Sequence, residues 1–207
     1  MAKRAFDIVV ALGLLALFSP LFLIIALALK ITHPEIPLVI GVVALGKDRK
    51  IFNEWKFSTM ISDAHNRLEQ VLASDPALRK EWQETHKLKA DPRILPGIGR
   101  FLRRTSLNEL PQLINVLIGE MSLVGPRAIT PAEEALYFRQ ADPETAELRF
   151  SVRPGITGLW QVERKDEVSY AERVALDCQY IKERNLFLDI RIMLKTAVKI
   201  VYPAGAY

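Results

Sequence analysis

Asn108 and Glu109 stand side by side, with Arg103 and Arg104 just upstream and Arg127 downstream. A carboxylate near several guanidinium groups suits phosphate chemistry. The carboxylate can hold Mg²⁺ or attack phosphorus, and planar guanidiniums take phosphate oxygens in pairs. Leu110, Leu113, Ile114 and Leu117 recur at helical spacing and Gly119 is a natural stop, so a helix is predicted from about Asn108 to Ile118. Ser106 and Glu109 fit a capping box; the alternative is Asn108 as the cap, with Pro111 in the first turn. A helix start also attracts phosphate through its N–H groups and dipole. Ser122-Leu123-Val124 reads as a short strand, and Gly125-Pro126 as a turn that presents Arg127. A solvated charge run is the competing reading of Arg100, Arg103 and Arg104.

Other elements must hold these residues in place. Residues 8–29 carry no charge and are long enough to span a bilayer. The run is too long for a signal-peptide core and leads directly into Lys30-Ile31-Thr32-His33-Pro34, so cleavage is not expected. Lys3, Arg4 and Lys30 put positive charge at both ends, which the positive-inside tendency keeps on one side. Ser19-Pro20 in the middle predicts a kink, because proline lacks the N–H and clashes with the preceding turn; the Ser19 hydroxyl can supply a replacement donor. A re-entrant helix satisfies both signals, and a straight anchor with a tolerated proline is the alternative. Asp7 is expected to start the helix or pair with a nearby base.

Further along, residues 38–45 and 51–57 read as a β-hairpin around Gly46-Lys47-Asp48-Arg49, with Phe57 in the core. Polar helices are predicted from Ser62-Asp63 and from Asp75-Pro76. One helix is predicted over residues 131–148 and another over 167–184, with Cys178 as a small buried residue. The glycines of Pro154-Gly155-Ile156-Thr157-Gly158 read as turn chemistry or as a close backbone approach to a ligand. The last helix, 186–201, sets Arg191, Lys195 and Lys199 beside Ile190, Leu194 and Val198, a basic amphipathic pattern suited to an anionic membrane surface or to packing on the domain.

The chain has 207 residues, half of them apolar, and a net charge of +4. That bounds it to a folded protein with one substantial core and favours anionic partners. A single cysteine excludes an internal disulfide, and His33, His65 and His86 show no metal-ligand spacing. The apolar N-terminus and the lack of a basic-aromatic groove pattern argue against nucleic acid as a partner. The fold class expected is α+β and mostly helical. A kinked re-entrant membrane helix (1–33) precedes a compact catalytic domain (34–207), with a small β-hairpin and amphipathic interfacial helices.

Several motifs recur in order: Lys-Arg-x-Phe-Asp-Ile at 3–8, Ser19-Pro20, Lys-Phe-x-Thr-Met at 56–60, Ser-Leu-x-Glu-Leu-Pro-Gln at 106–112, Met-Ser-Leu-Val-Gly-Pro-Arg at 121–127, and Arg-Pro-Gly-Ile-Thr-Gly-Leu-x-Gln-Val at 153–162. Together they resemble the bacterial sugar transferases of the monotopic phosphoglycosyl transferase family. The closing Gly205-Ala206-Tyr207 resembles its hexose-1-phosphate branch. The resemblance implies transfer of a sugar 1-phosphate from a nucleoside diphosphate sugar, expected to be a UDP-hexose, to polyprenyl phosphate. This would begin a surface glycan at the cytoplasmic face of the bacterial inner membrane, with membrane lipids as partners and a homo-oligomer as one possible assembly. In the family an Asp attacks phosphorus, releases UMP and carries the phosphosugar, a Glu assists, and Mg²⁺ neutralises the diphosphate.

By that alignment Glu109 is the Glu, and Asn108 occupies the Asp position. Both would stand at the metal. Arg103, Arg127, Arg153, Gln161 and Lys165 would bind phosphate or substrate. Other departures are Ser58 for a usual Arg, Ala128 for a Pro, Lys165 for an Arg, and Val42-Val43-Ala44 for a Gln-x-Arg. An amide has no anionic oxygen to attack phosphorus. Three readings follow: Glu109 or another group as nucleophile, a silenced site, or a divergent, catalytically weak homologue. A membrane scaffold that binds ligand without turnover is the functional alternative.

Overall fold

The computed structural model describes residues 2–85, 88–140, 143–163 and 169–201. Its first element is the apolar run itself, a helix α1 over Ala2–Thr32. Among the described residues it is the helix long and apolar enough to cross a membrane. α1 continues through Pro20, where the sequence predicts a kink. Proline leaves the Ala16 carbonyl without its usual i+4 donor, and the Ser19 hydroxyl donates to that carbonyl at 2.9 Å.

One face of α1 rests on the rest of the protein at both ends. Asp7 and Ala11 are buried near the start, and Ile25 and Leu29 near the finish. Phe6, Val10, Ala11, Leu14 and Leu15 join a core with Leu113, Val116, Met121, Leu123 and Ile192. Leu21, Phe22, Ile25 and Leu29 join another with Ile36, Phe57, Leu95 and Leu102. The opposite face is apolar and bare: Leu17 is 69% exposed and Leu23 73%. Near the N-terminus, Lys3 Nζ lies 2.9 Å from both Asp7 and Asp189. The Lys3 contact bears out the reading of Asp7 as an ion-pair partner, and Asp7 also accepts from the Ser122 hydroxyl at 2.8 Å.

The hairpin forms as the sequence predicts. β1 (Val39–Leu45) and β2 (Ile51–Phe57) pair antiparallel around the turn at Lys47–Arg49. The polar helices follow as α2 (Ala64–Ser74) and α3 (Pro76–Thr85), with Asp75 Oδ1 accepting from the Ala77 N–H at 2.8 Å. A short α4 (Ile98–Arg104) carries Arg103.

The predicted helix over Asn108–Ile118 is a 3₁₀ turn at Leu107–Glu109 followed by α5 (Gln112–Ile118). The capping box is absent. Ser106 takes a left-handed conformation (φ 57°) with no side-chain cap, and Pro111 is the residue before α5. A proline cannot donate an intrahelical bond, so the first turn stays tight and separate.

β3 (Ser122–Val124) pairs in parallel with β4 (Gly155–Thr157), joining two segments that the sequence reading leaves as an isolated strand and a turn. Gly125 permits the contact, since a Cβ there would lie 2.6 Å from the Arg153 carbonyl oxygen and 2.8 Å from Gly155 N. The expected helix over 131–148 is two, α6 (Pro131–Arg139) and α7 (Pro143–Leu148), with Pro143 opening the second. Leu159 starts a short α8 (Leu159–Glu163). α9 (Tyr170–Glu183) buries Cys178 as expected, and α10 (Leu186–Val201) closes the fold.

Candidate active site

Three elements converge on Glu109. The 3₁₀ turn places its side chain at the edge of β2, where Lys56 Nζ lies 3.8 Å away. The turn after β3 brings Arg127 Nη2 to 3.5 Å from Glu109 Oε1. Lys56 also pairs with Glu54 at 2.9 Å, and Gln112 Nε2, at the head of α5, donates to Glu54 Oε1 at 2.9 Å. The result is an alternating row of charges: Glu54, Lys56, Glu109, Arg127. Asn108 is buried directly beside Glu109 in sequence.

Arg103 approaches from α4 and donates through Nε to the Thr59 hydroxyl at 2.8 Å. Burial lowers its pKa, and repulsion from Arg93 and Arg127 adds to that against the attraction of Asp91 and Glu109. Its charge therefore feels both Glu109 and Arg127 while remaining protonated. For Arg127 burial also disfavours the charge, but Glu109, Glu54 and Glu133 outweigh it and hold the pKa above the ordinary arginine value.

The sequence-predicted residues divide accordingly. Glu109, Arg127 and Arg103 come together, and Asn108 is buried beside Glu109 in the same 3₁₀ turn. Arg153 instead donates from Nε to the Gly119 carbonyl at 2.6 Å, at the far end of α5. There it joins Arg4, whose guanidinium donates to the Val116 and Leu117 carbonyls. Both offset the negative end of α5. Gln161 Nε2 donates to the Ile156 carbonyl at 2.7 Å, which ties α8 to β4. Lys165 lies outside the described residues.

The chemistry available is that of a carboxylate flanked by Lys56 and Arg127, with the Arg103 guanidinium near by. The Ser58 hydroxyl, next to Thr59 in sequence, is buried without a hydrogen-bond partner. Among the described residues no group of three or more His, Cys, Asp and Glu collects as a metal cage. The donor set fits Mg²⁺ in its other common mode, one or two oxygen ligands from protein and the rest from substrate phosphate and water.

The bacterial sugar transferase family pattern matches residues 1–203. This chain belongs to the bacterial sugar transferase family. It is 43% identical over 205 residues to the undecaprenyl-phosphate galactose phosphotransferase of Salmonella typhimurium, covering 99% of this chain and 41% of that protein. It is 41% identical over 207 residues to the exopolysaccharide production protein ExoY of Rhizobium meliloti, covering 100% of this chain and 88% of ExoY. It is 39% identical over 210 residues to the UDP-glucose:undecaprenyl-phosphate glucose-1-phosphate transferase of Escherichia coli, covering 99% of this chain and 41% of that enzyme. The chain thus spans about two fifths of the longer relatives and most of ExoY.

Sequence reasoning missed Glu54, Lys56 in its charge-bridging role, and Thr59. In an alternating strand, residues 54 and 56 share a face, but only the register against α5 reveals which face meets Glu109. The missed signal was Lys56 within the Lys-Phe-x-Thr-Met motif itself.

Proposed function

We propose that the protein transfers a sugar 1-phosphate from a nucleoside diphosphate sugar, a UDP-hexose, to polyprenyl phosphate, and so begins assembly of an exopolysaccharide, O-antigen or capsule. The observation that carries this reading is Glu109 3.5 Å from Arg127, with Arg103 electrostatically coupled to both. The names of the relatives supply the substrate class: undecaprenyl phosphate as acceptor and galactose or glucose as the moiety transferred. Nothing in those names supports a scaffold without turnover.

Arg127 and Arg103 bind the diphosphate oxygens and offset the charge that builds on the departing UMP as the bond from the sugar-bearing phosphorus to the bridging oxygen is broken. Glu109, with the Asn108 amide oxygen, would hold Mg²⁺. The ion, when bound, supplies neutralisation of the diphosphate. Asn108 has no anionic oxygen, so Glu109 is the acidic group placed to act on phosphorus or on a proton.

α1 enters and leaves the bilayer on one face, with Pro20 near its deepest point, and the domain sits on the cytoplasmic side of the inner membrane. Support comes from the packing of both ends of α1 on the same body. α10 lies in the interface. Phe187, Ile190, Leu194 and Val198 form a bare apolar stripe, and they border a groove of about 540 Å³ together with Arg191, Lys195 and Lys199.

The test is transfer of labelled sugar phosphate from UDP-glucose and UDP-galactose to undecaprenyl phosphate with Mg²⁺. Glu109→Gln is expected to abolish transfer, and Asn108→Asp to raise it by at least about 100-fold, the scale of a restored nucleophile or base. Unchanged transfer in Glu109→Gln overturns the assignment.

A further inference from the structure

Behind the Arg127 turn lies a layer of buried charge that the transfer chemistry leaves unused. Arg149, in the 3₁₀ turn Arg149–Ser151, is 0% exposed, and Arg173 and Asp177, one turn apart on α9, are 3% and 1% exposed. Arg149 Nη2 donates to the Arg127 carbonyl at 2.8 Å. On the other side of that residue, the Arg127 main-chain N–H stabilises the Asp177 carboxylate, which also feels the charges of Arg173 and Arg149. Arg173 is occupied elsewhere. Its guanidinium lies 5.1 Å from the Trp160 ring and 5.0 Å from the Tyr170 ring, and Nη1 lies 3.6 Å from Glu133.

The main chain of Arg127 is therefore gripped from two elements at once, its carbonyl by Arg149 and its N–H by Asp177. Its side chain points the other way, to Glu109. Keeping such charges out of water is expensive, and a packed apolar pair would often cost less. Arg149 shows this directly, since its Nε and Nη1 are buried without hydrogen-bond partners. Stability alone is a poor reason for a side chain in that state. What the pair delivers is a fixed origin for one guanidinium, and misplacement of a binding group by about 1 Å is enough to cost orders of magnitude in rate.

We infer that Arg149 and Asp177 are positioning residues that clamp the Arg127 peptide from both sides, and so set where its guanidinium meets the donor diphosphate. The inference rests on the reading of the Glu109–Arg127 pair as the diphosphate site. Neither residue touches substrate; both act through Arg127.

The experiment uses the full chain in nanodiscs, with Mg²⁺ and UDP-glucose or UDP-galactose. Dissociation constants are measured for wild type, Asp177→Asn, Arg149→Met, Arg149→Lys and Arg127→Ala, and for each clamp variant combined with Arg127→Ala. Residue-resolved amide hydrogen exchange is measured on the same samples without donor. Asp177→Asn and Arg149→Met are each expected to weaken binding about tenfold, roughly the loss of one charge-assisted contact. Arg149→Lys, which keeps a donor for the Arg127 carbonyl, is expected to recover part of that loss. With Arg127 already replaced, either clamp change should cost less than about twofold more, because its route of action is gone. The Arg127 amide should exchange at least about tenfold faster in Asp177→Asn. Additive losses in the double variants overturn the clamp, as does unchanged Arg127 exchange. If wild type binds neither donor, the reading of the Glu109–Arg127 pair as the diphosphate site fails separately, and the exchange result alone decides the clamp.

Discussion

Asp177 shows how burial and charge compete at a single side chain. Burial pushes its carboxyl up to about 6, and the pull of Arg173 and Arg149 only partly restrains the rise. A carboxyl whose folded pKa lies above its unfolded one contributes stability that is complete below the unfolded value and is lost as pH rises through about 6. Asp177→Asn removes that dependence. Denaturant unfolding from pH 3.5 to 7 should therefore show the stability of wild type relative to the variant falling as pH rises, by on the order of 2–3 kcal/mol in all. A difference that stays flat across that range would refute the assignment. Glu109, Arg103 and Arg127 were legible in the sequence because motif and charge mark them within a short stretch. Arg149, Arg173 and Asp177 were not. Each lies in a segment that reads as an ordinary polar helix or turn, and only the packing of α9 against the Arg127 turn brings their charges inside.

At the scale of elements, α5 is the part that aligns the site, because side chains hold it from both ends. At its head Gln112 meets Glu54 of β2, and at its tail Arg4 and Arg153 take up the last carbonyls. Midway, Asn115 is fully buried. Its Oδ1 accepts from the Trp55 N–H at 3.0 Å, and its Nδ2 donates to the Asn53 carbonyl at 2.8 Å and to Glu120 at 2.7 Å. That side chain continues the hairpin's ladder onto the helix and fixes Lys56, one residue along, against Glu109. Asn115→Leu removes these bonds and leaves two strand groups without partners, so unfolding should become easier by about 2–4 kcal/mol. Thermal and denaturant melts check this, and a loss under about 1 kcal/mol would show that Asn115 does not couple the elements. The hairpin, α5 and the last two helices were visible as periodicity. The parallel β3–β4 pair was not: Ser122–Val124 reads as a strand, but nothing in it marks its partner, and Gly155–Thr157 reads as a turn. It exists because glycines at 125 and 155 let two loops close on each other.

For the whole molecule the question is which side of the bilayer each end of α1 occupies. A straight span would carry one end away from the domain. Here Asp7 is bonded to Ser122 near the start, and Leu29 is buried with Leu95 and Leu102 near the finish. The proposed re-entrant arrangement keeps both of these contacts, because it leaves both ends of α1 on the side of the domain. The site follows from this arrangement. Arg4 of α1 holds the tail of α5, while Glu109 sits just before its head. Ala2→Cys and Thr32→Cys, both at exposed positions, make the argument measurable, because the single native cysteine, Cys178, is buried and should give little background. In sealed vesicles of known orientation, a membrane-impermeant maleimide should label both introduced cysteines from the cytoplasmic face and neither from the other. Labelling of the two from opposite faces would make α1 a spanning helix, and the packing of its two ends on one domain could not then exist in the membrane-bound protein.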